Sequence, residues 1–164
     1  MKTKYEFRDI LPEELDQVIQ IEQICFPPNE ACSAKSMRER VANAPETFMV
    51  AVDKETGKVA GFLNGVATDE AVFRDEFFTD STLHNPEGKN VMLLGLDVLP
   101  EYRRQGIACT LTSHLAMEIL EKDRVPFYCC AWSNIRSARN ANKSGFVPAW
   151  VEMTVKPERF VEEM

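Results

Sequence analysis

The apolar and polar positions divide the chain into short elements. NVMLLGLDVLP, residues 90–100, is apolar on both faces, which predicts a strand buried at the middle of a sheet and stopped by Pro100. Ile107, Leu111, Leu115 and Ile119 then recur at helical spacing through GIACTLTSHLAMEILEK, residues 106–122, the best-defined helix in the chain. Upstream, YEFRDIL (5–11) predicts a first strand. PEELDQVIQIEQICF (12–26) predicts a helix, with Pro12 and acids at its start and Leu15, Val18, Ile19, Ile21, Glu22 and Cys25 at roughly helical spacing. FPPNEACS breaks it; Ser33 caps a second helix that runs to Asn43 and is ended by Pro45. TFMVAVD (47–53), a turn at Lys54–Gly57 and KVAGFLNGVAT (58–68) form a hairpin, where Gly61 and Gly65 mark a bulge or a close backbone approach. Residues 69–90 are a polar, acidic insertion with a short helix around Phe73–Phe78. VPFYCCAWS (125–133) is a further strand, NIRSARNANKS (134–144) a helix closed by Gly145, and FVPAWVEMTVK (146–156) a last strand or strand pair. The order β-α-α-β-β-β-α-β-α-β predicts a mixed α/β arrangement around one sheet.

Composition narrows this picture. With 164 residues and 45% apolar content, one ordinary domain over 1–164 has enough material for a core. Lys plus Arg number 19 against 26 Asp plus Glu, a net charge of −7, which argues against a general nucleic-acid binder and suits a cationic small molecule better. No apolar run of about 18 residues predicts a membrane span, and the N-terminal stretch has no signal-peptide pattern. The five cysteines (Cys25, Cys32, Cys109, Cys129, Cys130) are odd in number and fit neither a zinc site nor a disulfide framework. A cytoplasmic location with reduced thiols is the expectation.

Against this acidic background, VLPEYRRQGIA (98–108) places Arg103 and Arg104 just before a helix, at the positive end of its dipole. A strand-to-helix turn of this kind gathers backbone N–H groups into an anion nest, and Gly106, without a Cβ, lets a bulky anion come close. A polyphosphate there reverses the local field and suits the arginines; the alternative is a solvated Arg-rich turn. Neither a Walker A loop nor a G-x-G-x-x-G fingerprint is present.

Arg103-x-x-Gly106-x-Ala108, the strand before it (LLGLDVLPEYRR), the helix after it and the late SNIRSARNANKSGFVP together resemble the GNAT N-acetyltransferase superfamily. STLHNPEGKN and EQICFPPNEACS further resemble its arylalkylamine (serotonin) N-acetyltransferase branch. The resemblance implies a mixed, mostly antiparallel central sheet of about six to seven strands, splayed between the fourth and fifth and flanked by about four helices. It implies acetyl-CoA as cosubstrate, no metal, and a small-molecule or peptide amine as acceptor. Carried over by position, Arg103 heads the motif, and the amides of Arg104, Gln105, Gly106, Ile107 and Ala108 hold the pyrophosphate. Leu96, Asp97 and Val98 pair with the pantetheine arm, and Asn134 and Asn142 flank the far side. The amide near Val98 is the implied donor to the reacting carbonyl. The final strand offers an edge for a second copy, so a homodimer is a candidate assembly.

The sequence departs from the family where the proton chemistry sits. The usual Tyr of the late motif is Ala141, and the histidines of the arylalkylamine branch correspond to Met92 and Leu94. A primary ammonium has a pKa of about 10.4, so attack requires a proton acceptor. Four residues are candidate catalysts. Asp97 stands in an apolar strand, as a buried base or a carboxylate bonded to nearby backbone. Glu30, in the stretch that lines the branch's acceptor site, is a proton acceptor or a solvated loop acid. His84 is a relay or a loop-packing residue. Tyr128 is an acid if it faces the cofactor wedge. Water protonating the thiolate, or acyl-CoA binding without turnover, are the other readings. Cys129 and Cys130 invite a covalent route, but no histidine lies near in sequence to make a thiolate, and strand cysteines are mostly buried fillers. Phe48, Phe62, Phe73, Phe77, Phe78 and Trp132 are core or acceptor-pocket aromatics, with Phe77 and Phe78 placed as a lid.

Overall fold

The computed structural model describes residues 4–28 and 30–151. β1 (Tyr5–Asp9), α1 (Leu15–Cys25) and α2 (Ala34–Asn43) come first, followed by β2 (Phe48–Asp53) and β3 (Val59–Thr68). The insertion carries a four-residue helix, α3 (Glu76–Thr79), before β4 (Asn90–Val98); then come α4 (Ile107–Glu121), β5 (Val125–Tyr128) and α5 (Ile135–Lys143). The strands form one sheet in chain order, antiparallel except for the β4–β5 pair, which is parallel.

Side-chain alternation along β2 divides the core into two layers. Met49 and Ala51 face α4 and pack with Ile107, Leu111, Leu115 and Ile119, the helical stripe of the sequence. Phe48 and Val50 face the other way and pack with Phe62 of β3 and with Val18, Ile21 and Met37 of α1 and α2. Each large side chain fully buried this way contributes about 1.5–3 kcal/mol. Ser33 accepts from Ser36 N–H and starts α2, as its position predicts. Gly61 and Gly65 are close backbone approaches. A Cβ on Gly61 would lie 2.4 Å from the Asp97 carbonyl, and one on Gly65 2.7 Å from that of Met92.

Two irregularities in β4 shape the middle of the sheet. Leu63 pairs with Leu96 but Gly65 with Leu93, so β4 carries one residue more than β3 and bulges at Leu94–Gly95. On its other edge, β4 pairs with β5 only from Asn90 to Leu93, and β5 ends there at Tyr128. Beyond that point Leu94–Val98 have no strand neighbour on this side among the described residues, which is the splay expected between the fourth and fifth strands.

The structure corrects three expectations. Among the described residues there are five strands rather than six or seven, and five helices rather than four. The strand expected over 125–133 stops at Tyr128, because Ala131 and Asn134 close a turn (Asn134 N–H to Ala131 O, 2.9 Å) that leads into α5. Residues 146–151 form no strand, although their pattern alternates; alternation marks a strand only where a partner edge meets it. Residues 152–156 of that expected strand, and so the edge offered to a second copy, lie outside the described residues.

Candidate active site

A single 3₁₀ turn, Pro100–Tyr102, follows β4, and the chain then enters α4 through two left-handed residues, Arg104 (φ 64°) and Gly106 (φ 83°). Gly106 is the N-cap of α4 and a Cβ there would meet nothing within 4 Å, so the glycine serves backbone conformation and open space rather than packing. In front of this turn lies a cavity of about 590 Å³. Val98, Arg103, Arg104, Gly106, Ile107 and Ala108 form one wall. Arg136, Arg139 and Lys143 form the opposite wall; their spacing puts them on one face of α5. Among the described residues no carboxylate lines this cavity, in a chain whose net charge is −7. The α5 cations were missed by sequence reasoning, although the 136, 139, 143 spacing was there to read.

Other residues expected at the cofactor site hold the cradle's shape. Gln105 points away from the cavity: Tyr5 O–H donates to its Oε1, and its own amide donates to Glu101 O at 3.3 Å. Arg103 Nε donates to the Val98 carbonyl at 2.9 Å. Asn134 caps α5, its Oδ1 accepting from Ser137 N–H at 3.1 Å, and Asn142 is exposed beyond the lining. Asn140 lines the cavity instead and donates to Thr112 Oγ1 at 2.9 Å. Leu99 N–H bonds Ala60 O at 3.0 Å, on the β3 side. By strand alternation, the N–H groups of Val98 and Leu96 point to the opposite edge, the one β5 has left. The splay thus opens a row of main-chain donors beside the cationic cradle.

A second cavity, of about 460 Å³, lies between the β4 bulge, α1 and α2. Leu94 and Gly95 form its floor, and Glu22, Glu30, Arg40 and Phe78 stand in its walls. Glu22 is buried and its Oε1 accepts from Cys32 N–H at 2.8 Å. Beneath it lies Asp97, only 3% exposed, with Oδ2 lacking any hydrogen-bond partner among the described residues. Burial, reinforced by the neighbouring Glu22 carboxylate, pushes the Asp97 carboxyl up to about 8. Asp97 therefore holds a proton at neutral pH. Cys25 touches the same corner, its Sγ donating to the Val98 carbonyl at 3.5 Å; burial and Asp97 push that thiol up to about 11.

Of the other candidates, His84 packs the insertion onto the sheet. Its Nδ1 accepts from Ala67 N–H at 3.1 Å, and its Nε2 is 2.7 Å from Glu46 Oε1, which assigns the proton to Nε2. Tyr128 sits at the apex of the splay, with its hydroxyl 2.9 Å from Ser137 Oγ and its ring against Phe146. Ala141 is buried in α5. Cys129 and Cys130 are exposed and line neither cavity, and none of the five cysteines is in a disulfide. Phe48, Phe62 and Phe77 are core; Phe78 alone of the expected aromatics lines the second cavity, and Trp132 is exposed away from both. No helix among the described residues is long and apolar enough to cross a membrane.

No curated protein matches the chain in sequence. Solved structures share its fold. The aminoglycoside N-acetyltransferase AAC(6')-Iy in complex with CoA superposes with a TM-score of 0.70 at 16% identity, over 94% of this chain and 95% of that one. The ribosomal-protein-S18-alanine N-acetyltransferase from Escherichia coli gives 0.63 at 19% identity, over 89% and 79%. The loading GNATL domain of CurA from Lyngbya majuscula gives 0.67 at 20%, over 79% and 67%. At these identities the likeness speaks for the fold alone. The family itself is shown by the model of the Acetyltransferase (GNAT) family, which matches residues 15–146, from the start of α1 to just past α5 and so across both cavities and the splayed edge between them; this chain belongs to that family.

Proposed function

We propose that the protein transfers the acetyl group of acetyl-CoA to a primary amine by direct attack, with residues 1–164 acting as one domain. The observation that carries this reading is the cationic cavity at the start of α4, lined by no carboxylate among the described residues and continuous through Val98 with the edge of β4 that β5 leaves. Its residues fit a polyphosphate: main-chain donors at Gly106–Ala108, Arg103 and Arg104 on one side, and Arg136, Arg139 and Lys143 on the other. Leu96 and Val98 offer main-chain groups to an extended arm and a donor to the reacting carbonyl oxygen. Bound acetyl-CoA supplies an activated thioester carbon.

The chain's own task is then to bring the amine to that carbon and remove its proton. The acceptor enters the cavity over Leu94–Gly95, whose walls include Glu22, Phe26, Glu30, Ala31 and Cys32. These come from EQICFPPNEACS, the stretch that carries the arylalkylamine-branch resemblance, which supports reading this cavity as the acceptor site. Glu22 is the buried carboxylate that reaches it. In this reading Glu22 takes the proton from the ammonium, while Asp97, which already holds its own proton at neutral pH, lies beside it as a neutral neighbour. A carbon–nitrogen bond forms as the carbon–sulfur bond breaks, and the second proton of the nitrogen passes through water to the departing sulfur, since Ala141 carries no hydroxyl.

Ala141 also favours a second reading, an acyl-CoA-binding domain without turnover. Titration with CoA and thiol release over a panel of amines separate the two. Saturable CoA binding with turnover of an amine is the result expected. Binding without turnover of any amine moves the assignment to the second reading, and absence of CoA binding removes both.

A further inference from the structure

Arg40 projects from α2 into the second cavity and is only 5% exposed. Its Nη1 donates to Asn64 Oδ1 at 2.8 Å and its Nη2 to the Phe78 carbonyl at 2.6 Å, both neutral acceptors. Its Nε has no partner among the described residues, and no described carboxylate forms an ion pair with it; Glu22 acts on it only through space. A guanidinium stays charged in a protein, and burying one without a counter-ion is strongly unfavourable. Two bonds to neutral oxygens offset part of that cost. They also fix the fork rigidly between α2, β3 and the insertion, as a binding group needs.

The same cavity carries the opposite sign. Glu22 and Glu30 line it with Arg40, so one compartment of about 460 Å³ holds an unmatched cation and two carboxylates. A simple amine satisfies the carboxylates and leaves Arg40 as it was. A carboxylate alone satisfies Arg40 and is repelled by Glu22 and Glu30. A small molecule bearing both an ammonium and a carboxylate matches both, and the cavity is of the size that takes small ligands.

We propose that the acceptor is an amino carboxylate, a free amino acid or a close relative, whose carboxylate is held by Arg40 and whose amine faces Glu22. This rests on the reading of the cavity as the acceptor site. Phe78, on the insertion, is 44% exposed, and with both Nη groups bonded, Nε is the guanidinium donor left for the ligand carboxylate. Arg40 is then a specificity-determining residue rather than a catalytic one.

The test sets each amino acid against the amine left when its carboxylate is removed: tryptophan and tryptamine, phenylalanine and phenethylamine, leucine and isopentylamine. Binding is read by calorimetry, to the free protein and to the protein saturated with CoA, and turnover by thiol release. For at least one pair, the carboxylate-bearing partner is expected to bind about tenfold or more tightly, the scale of one charge-assisted contact. Arg40→Gln is expected to reduce that ratio to within about twofold, with CoA affinity unchanged. Should Arg40→Gln fail to fold, the wild-type pairs decide the matter alone. Equal or better binding of every decarboxylated amine, or no binding in any pair, overturns the proposal.

A further arm compares malonyl-CoA and succinyl-CoA with acetyl-CoA. If the carboxylate-dependent gain appears there and not among the amines, Arg40 reads the acyl group and the acceptor assignment is overturned. Because calorimetry with the free protein needs no turnover, a failed acetyl transfer and a failed amino-carboxylate site are distinguishable.

Discussion

Replacing Asp97 by asparagine removes one titrating group from the centre of the molecule without changing its size. The Asp97 carboxyl lies at about 8 in the folded protein, against about 3.9 in an unfolded chain. Its folded-state pKa is raised, so the folded form binds more protons than the unfolded form between those values. The stabilisation from keeping it protonated is complete below about pH 4 and is lost as pH rises through about 8. The slope is about 1.4 kcal/mol per pH unit, and from about pH 5 to about pH 8 the loss amounts to about 3–4 kcal/mol. Asp97 is 3% exposed, so water screens little of this. The amide that replaces the carboxyl does not titrate. Urea unfolding of the wild type and Asp97→Asn across that range should therefore diverge steadily, the variant gaining on the wild type as pH rises. Asp9 and Glu118, whose carboxyls burial also raises, contribute equally to both proteins and cancel in the difference. Parallel stability curves would refute the buried, proton-holding carboxyl at Asp97.

Three more outcomes are expected. Changing Arg136, Arg139 and Lys143 together to Gln should weaken CoA binding by about tenfold or more and flatten its dependence on salt; calorimetry at two salt concentrations checks this, and an unchanged affinity would show that the α5 face does not meet phosphate. Gly106→Ala meets no atom within 4 Å but keeps a φ of 83°, so the protein should stay folded, lose about 1 kcal/mol in urea unfolding and bind CoA less tightly. His84→Ala leaves the Ala67 N–H and Glu46 without their ring partner, a loss of about 1–3 kcal/mol in stability; turnover per folded molecule should be unaffected, and a selective loss of turnover would place His84 in the chemistry after all.

The sequence by itself determined the local elements and the cradle. The stripe Ile107, Leu111, Leu115, Ile119 is the face α4 buries, Gly61 and Gly65 are the close approaches, and Gly106 takes the left-handed conformation that the strand-to-helix turn requires. These are short-range matters of spacing and backbone sterics, fixed by neighbours a few residues apart. Strand ends were less legible: CCAWS and the segment after Phe146 have strand composition, but a strand ends where its partner edge ends, and β4 turns away from β5 after Leu93. The sites were decided by tertiary structure alone. Glu22 and Asp97 are 75 residues apart in number yet meet in one buried corner, and Arg40 of α2 bonds Asn64 of β3 and Phe78 of the insertion in the cavity that the β4 bulge also lines. Periodicity marks Glu22 and Arg40 as helical positions and says nothing of whether the charge they bury finds a partner. Burial and pairing depend on which elements pack together, and that is settled only when the sheet closes over α1 and α2.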